Sequence, residues 1–102
     1  MLAEKKTPLS RATIEKKLEA FMGWQLSEDG AWLTRRYEFK NFKAALACVN
    51  AAGEIAEAQK HHPDITLGWG YVTLAVQSHD AGGVTERDFL LVEAIDNVTP
   101  KD

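Results

Sequence analysis

The sequence predicts a two-layer α+β domain, and three observations carry that prediction. Three segments repeat apolar residues at helical spacing, and two regions between them read as strands interrupted once each by turn residues. The order is therefore helix, strand, strand, helix, strand, strand, helix. Each strand pair is near enough in sequence to close as an antiparallel hairpin, which leaves the helices to cover one face of a sheet. At 102 residues with 45% hydrophobic content, residues 1–102 form a single globular domain.

The first helix starts after Ser10, whose hydroxyl is a good N-cap, with Leu9 and Ile14 at the positions of a hydrophobic staple. Ile14, Leu18 and Phe21 continue its apolar spacing, and Gly23 is the expected stop. Trp24-Gln25-Leu26 is a short strand, Ser27-Glu28-Asp29-Gly30 a turn, and Ala31 to Phe39 a second strand. Trp32, Thr34, Arg36 and Glu38 alternate with Leu33, Arg35, Tyr37 and Phe39 there, and the pattern leaves open which set is buried.

A long helix is expected from about Asn41 to about Lys60. Phe42, Ala45, Leu46, Val49, Gly53 and Ala56 make one apolar face, and Ala44, Ala47, Cys48, Ala51, Ile55 and Ala58 another. One face suffices for packing on the sheet, so the second, made mostly of small residues, is expected between subunits of a homodimer or homotetramer. Pro63 ends the helix because the residue before proline avoids the helical region. Ile65-Thr66-Leu67 and Tyr71 to Ser78 are strands, with Gly68 and Gly70 allowing a turn or bulge around Trp69. His79 to Gly83 is a loop. Thr85 then caps a last helix, with Asp88 in the place of a capping-box acid, and Phe89, Leu91, Val92, Ile95 and Val98 lead it towards Pro100.

Composition narrows the function. A net charge of −3 argues against direct nucleic-acid binding, which needs a basic patch. Lys5, Lys6, Arg11, Lys16 and Lys17 are diluted by Glu4, Glu15 and Glu19, as on a solvated helix face. The single cysteine, Cys48, forbids an internal disulfide and suits a reducing compartment. No apolar run reaches the length of a membrane span, and Met1-Leu2-Ala3-Glu4 does not begin a signal peptide. The expectation is a soluble, cytoplasmic protein.

Chemistry concentrates in one spaced run: Glu57, His61-His62-Pro63, Trp69, His79 and Asp88, which holds every histidine in the chain. Imidazole titrates nearest neutrality, so it is the usual side chain for moving protons at physiological pH. Glu57 and His61, four apart, share a helix face if the turn persists, and a carboxylate there would fix the imidazole tautomer. His79 comes from the end of a separate strand, so three imidazoles can meet at one cleft. Asp88 either reaches the same cleft or only caps its helix.

This run, with Gly82-Gly83-Val84-Thr85-Glu86-Arg87-Asp88, resembles the pterin-4a-carbinolamine dehydratase family, also known as the dimerisation cofactor of a hepatocyte homeodomain transcription factor. The resemblance runs from the first helix to Val98. It implies a four-stranded antiparallel sheet with three helices packed on one face. It also implies dehydration of 4a-hydroxytetrahydropterin, such as 4a-hydroxytetrahydrobiopterin, to the quinonoid dihydropterin, with the pterin as substrate and no metal or organic cofactor. On the family match His61 and His79 are acids at the leaving hydroxyl, and His62 binds substrate or takes the N5 proton. Glu57 orients His61, Asp88 supports the site, and Trp69 and Ser78 join His62 in binding substrate. The chain departs from the family pattern at Ile65, where many relatives have an aromatic residue. It departs again at Leu67-Gly68-Trp69-Gly70, where many have an asparagine–aliphatic–tyrosine–asparagine run.

Two other readings compete. A histidine and acid set can ligate metal, but adjacent His61-His62 is awkward for one tetrahedral ion and no HExxH spacing exists. A non-catalytic interaction module, a coactivator or assembly factor on the same fold, remains compatible with the small-residue helix face.

Overall fold

The computed structural model describes residues 7–99. Glu4, Lys5, Lys6 and Pro100, used above, lie outside them. The elements are α1 (Arg11–Leu18), β1 (Gln25–Leu26), β2 (Leu33–Glu38), α2 (Phe42–Gln59), β3 (Asp64–Gly68), β4 (Tyr71–Val76), a 3-10 turn (His79–Ala81) and α3 (Glu86–Val98). The four strands form one antiparallel sheet in the order β1-β2-β4-β3. This is the expected α+β architecture, with the α2 crossover placing β4 in the centre beside β2.

The sheet register settles the alternation that the sequence left open. Leu33 pairs with Val76, Arg35 with Leu74 and Tyr37 with Val72, so Leu33, Arg35 and Tyr37 share the inner face. Leu33, Val72, Leu74 and Val76 are buried with Val84, Phe89, Leu91, Val92 and Ile95 in one core. Arg35 is the polar member of that face. With Tyr37 it converges on Asp96 of α3. Tyr37 Oη donates to Asp96 Oδ1 at 2.7 Å, Trp24 Nε1 donates to both Asp96 oxygens at 3.1 Å, and Arg35 lies 3.5 Å from Oδ1. Burial, then the Asp96 carboxylate, pushes the Tyr37 phenol well above its ordinary value.

Several boundaries differ from expectation. Gly23 (φ 93°) does not end α1, which stops at Leu18 with Glu19 as its cap. The intervening residues form turns, and Trp24 belongs to the core rather than to a strand. β2 is shorter than Ala31 to Phe39, and β4 ends at Val76, so Ser78 instead makes an isolated bridge to Gly83. Gly68 pairs with Tyr71, which leaves a two-residue turn and no bulge at Trp69. A Cβ at Gly68 would sit 2.1 Å from the Tyr71 ring, so close approach explains this glycine.

The helix faces of α2 also need correction. Its core face is Ala45, Cys48, Ala52 and Ala56, each at most 2% exposed, flanked by Val49 and Ile55. Cys48, assigned to a subunit face, therefore packs inside, and burial raises its thiol pKa. Phe42 and Leu46, assigned to the core, are 45% and 40% exposed. Small residues make the core face of α2, Val49 and Ile55 pack at its margins, and Phe42 and Leu46 lie on its outer flank.

Candidate active site

The site is built at the end of the sheet where α2 hands over to β3 and β4 hands over to α3. Asn41 caps the start of α2, and Lys60 ends it in the left-handed conformation, φ 56° and ψ 41°. His61 N–H then reaches back to the Ala56 carbonyl at 3.1 Å, a Schellman-type closure that reverses the chain. The helix therefore does not persist to His61, and the expected pairing of Glu57 with His61 does not form. Glu57 Oε2 instead lies 2.7 Å from His62 Nε2, with both side chains exposed.

His61 turns inward to a different carboxylate. Its Nε2 lies 2.5 Å from Asp88 Oδ1, with the imidazole 13% exposed and Asp88 fully buried. The other oxygen of Asp88, Oδ2, accepts from Thr85 N–H at 2.7 Å and from Ser78 Oγ at 2.9 Å. Thr85 caps α3 and forms with Asp88 a complete capping box. Capping and contact with a histidine, set against each other above, are thus divided between the two oxygens of one carboxylate.

Ser78 is 1% exposed, and its hydroxyl meets Thr85 Oγ1 at 2.8 Å as well as Asp88. It faces this network and not open space, with its hydroxyl engaged by Thr85 and Asp88. His79 follows on the exposed 3-10 turn, its ring edge-on to Trp32 at 5.7 Å between centroids. Trp32 was legible only as a strand residue. Its place beside His79 comes from the turn, where Ser27 and Asp29 bind Trp32 and Ala31 backbone and Gln77 Nε2 donates to the Ala31 carbonyl at 3.0 Å. The Ser27 hydroxyl, then Ala31 N–H, lower the Asp29 pKa.

Trp69, expected at the substrate, does not join this group within one chain. It sits 69% exposed at the far end of the β3–β4 hairpin. At about 3.3 Å per residue, β3 alone separates it from His61 by roughly 16 Å. A groove of about 480 Å³ opens beside His61, lined also by Lys60, Arg87, Leu90 and Glu93. The Arg87 guanidinium pairs with Asp80 at 2.6 Å across its edge. Among the described residues no three His, Cys, Asp or Glu side chains are grouped to hold a metal ion, and no helix is long and apolar enough to cross a membrane.

The arrangement offers one imidazole held by a buried carboxylate, a second paired to an exposed one, and a third on a neighbouring turn. Such a set can donate and accept protons at a bound molecule. Comparison with known proteins gives it a context. Residues 7–98 match the family described as Pterin 4 alpha carbinolamine dehydratase. A protein of Halorhodospira halophila, named "Putative pterin-4-alpha-carbinolamine dehydratase", is 42% identical over 89 residues, 87% of this chain and 82% of its own. A protein of the same name from Thermomicrobium roseum is 45% identical over 87 residues, 85% of this chain and 91% of its own. The crystal structure of a transcriptional coactivator/pterin dehydratase from Brucella melitensis superposes with a TM-score of 0.87 at 26% identity, covering 92% of this chain and all of that one.

Proposed function

The chain belongs to the pterin-4a-carbinolamine dehydratase family, and from that premise we propose that it dehydrates a 4a-hydroxytetrahydropterin to the quinonoid dihydropterin by imidazole acid/base catalysis. The observation that carries this reading is the 2.5 Å contact of His61 with buried Asp88, at the end of the sheet from which His62 and His79 also emerge. In the reaction the C4a–O bond breaks and its electron pair leaves with the oxygen. That oxygen takes a proton and departs as water, while N5 loses a proton and its electrons form the C4a=N5 bond. His61 and His79 are the acids at the leaving hydroxyl, and His62, backed by Glu57, binds the substrate or takes the N5 proton. Protonation of the leaving group suffices for this chemistry, so no metal or organic cofactor is required.

Turnover of a 4a-hydroxytetrahydropterin by the purified protein is the direct test. Acceleration over the uncatalysed dehydration supports the reading, and a rate equal to buffer rejects it. A second reading, a protein-interaction module, draws on the coactivator name of the Brucella protein and on the exposed Phe42 and Leu46 of α2. Under either reading, self-association into a homodimer or homotetramer through α2 would cover those two side chains. An inactive protein that still associates favours the second.

A further inference from the structure

We infer that Ser78, Thr85 and Asp88 are positioning residues that lock His61 as its Nε2–H tautomer, so that Nδ1 is the atom that handles the proton at the substrate. The inference rests on the dehydratase reading for its chemistry, but its geometry stands apart from it. Hydrogen bookkeeping gives the direction of every bond in the network. Asp88 Oδ2 accepts the Thr85 backbone N–H at 2.7 Å and the Ser78 hydroxyl proton at 2.9 Å. Ser78 has one hydroxyl proton, and it is committed to Asp88. The 2.8 Å contact between Ser78 Oγ and Thr85 Oγ1 must then carry the Thr85 proton towards Ser78. Thr85 Oγ1 in turn accepts from Arg87 N–H at 3.2 Å. The chain runs one way, from Arg87 N–H through Thr85 and Ser78 to Asp88.

Asp88 is thus an acceptor on Oδ2, and its fully buried side chain has Oδ1 aimed at His61 Nε2 2.5 Å away. An acceptor there requires the proton on Nε2. In the neutral ring the lone pair is then on Nδ1. In the protonated ring Nδ1–H is the donor not already engaged by Asp88. Either way the working atom is the same, which a general acid that must alternate forms requires. Ser78 and Thr85 touch neither His61 nor a substrate in this role. They hold the carboxylate plane that holds the ring.

Long-range 15N–1H correlation spectra of the full chain test this without substrate, alongside turnover of the parent and of Asp88→Asn, Thr85→Val and Thr85→Ser. The parent is expected to show His61 protonated at Nε2 alone at high pH. Asp88→Asn keeps an amide oxygen for the Thr85 N–H but turns an N–H donor towards the ring. It should move the proton to Nδ1 and slow turnover about a hundredfold or more. Thr85→Val leaves the carboxylate acceptor in place but loosens the plane that Ser78 holds. It should keep the Nε2–H tautomer and slow turnover about three- to tenfold, the worth of one hydrogen bond, with KM little changed, and Thr85→Ser should restore the rate. A parent proton on Nδ1, or a single unchanged tautomer in Asp88→Asn, overturns the inference. So does a mixed tautomer in Thr85→Ser, a folded variant that keeps the hydroxyl. An inactive parent with the Nε2–H tautomer supports the network and rejects the dehydratase reading. An active parent with the Nδ1–H tautomer does the reverse.

Discussion

Lys60 turns the chain left-handed at φ 56°, and that torsion decides which carboxylate each histidine meets. Sequence spacing made Glu57 the partner of His61 only while the helix continued. A lysine in the left-handed region carries no strong signal in sequence, since glycine or asparagine is the usual occupant. The membership of His61, His62, His79 and Asp88 in one region was legible from their spacing. The exchange of partners was not, because it depends on one torsion and on where α3 docks. His61→Ala and His62→Ala are each expected to slow turnover by about a hundredfold or more, the scale of a positioned proton-transfer group. Near-parental rates in both folded variants would remove these residues from the chemistry. Tyr37 gives a separate test at alkaline pH. Its phenol is raised by burial and then by Asp96, so the folded state holds a proton that the unfolded state releases. Its stabilisation is complete below the ordinary phenol pKa of about 10 and is lost as pH rises through the folded value. Denaturant midpoints should therefore fall above about pH 10 in the parent and fall less in Tyr37→Phe.

Among the elements, α2 shows what a helical wheel leaves out. Both of its apolar arcs were visible in the sequence, but the buried arc of Ala45, Cys48, Ala52 and Ala56 straddles the two. Hydrophobicity alone favours burying Phe42 and Leu46. Close approach to the sheet and α3 favours alanine, and the space between elements cannot be read from one strand of text. Alternation with turn chemistry marked every strand, but pairing in the sheet set the ends: β1, β2 and β4 fell inside their expected segments, while β3 runs one residue past Ile65–Leu67 at each end. The α2 terminus offers the test at this scale. A left-handed L-residue costs roughly 1–2 kcal/mol, and glycine returns about 0.5–1 kcal/mol of that as unfolded-chain entropy. Lys60→Gly should stabilise the fold by up to about 1 kcal/mol, and Lys60→Val should destabilise it. Chemical denaturation that ranks the two variants the other way would contradict this account of the turn.

For the whole molecule, the exposed flank of α2 is the surface that self-association would cover. Leu46 is 40% exposed and Phe42 45%. Leu46→Glu is expected to lower the mass seen by light scattering while leaving circular dichroism unchanged. A monomeric parent, or an assembly indifferent to the charge, would discard α2 as the interface. The absence of any required metal is checked by exhaustive dialysis against a chelator, after which full turnover is expected. Activity lost with a stoichiometric metal, and regained on adding it back, would replace acid catalysis by Lewis-acid chemistry.

The paired anchoring of α3 has a mechanical consequence. Its N-terminal turn is pinned by Asp88 to Ser78, Thr85 and His61, and its C-terminal turn by Asp96 to Trp24, Arg35 and Tyr37. The two carboxylates are eight residues apart, about 12 Å along the axis. The helix acts as a strut between two fixed joints, and a strut released at one joint can pivot about the other. A displacement at the Asp96 joint would be carried along α3 towards the imidazole, which that joint never touches, against the resistance of the core that α3 buries between the two.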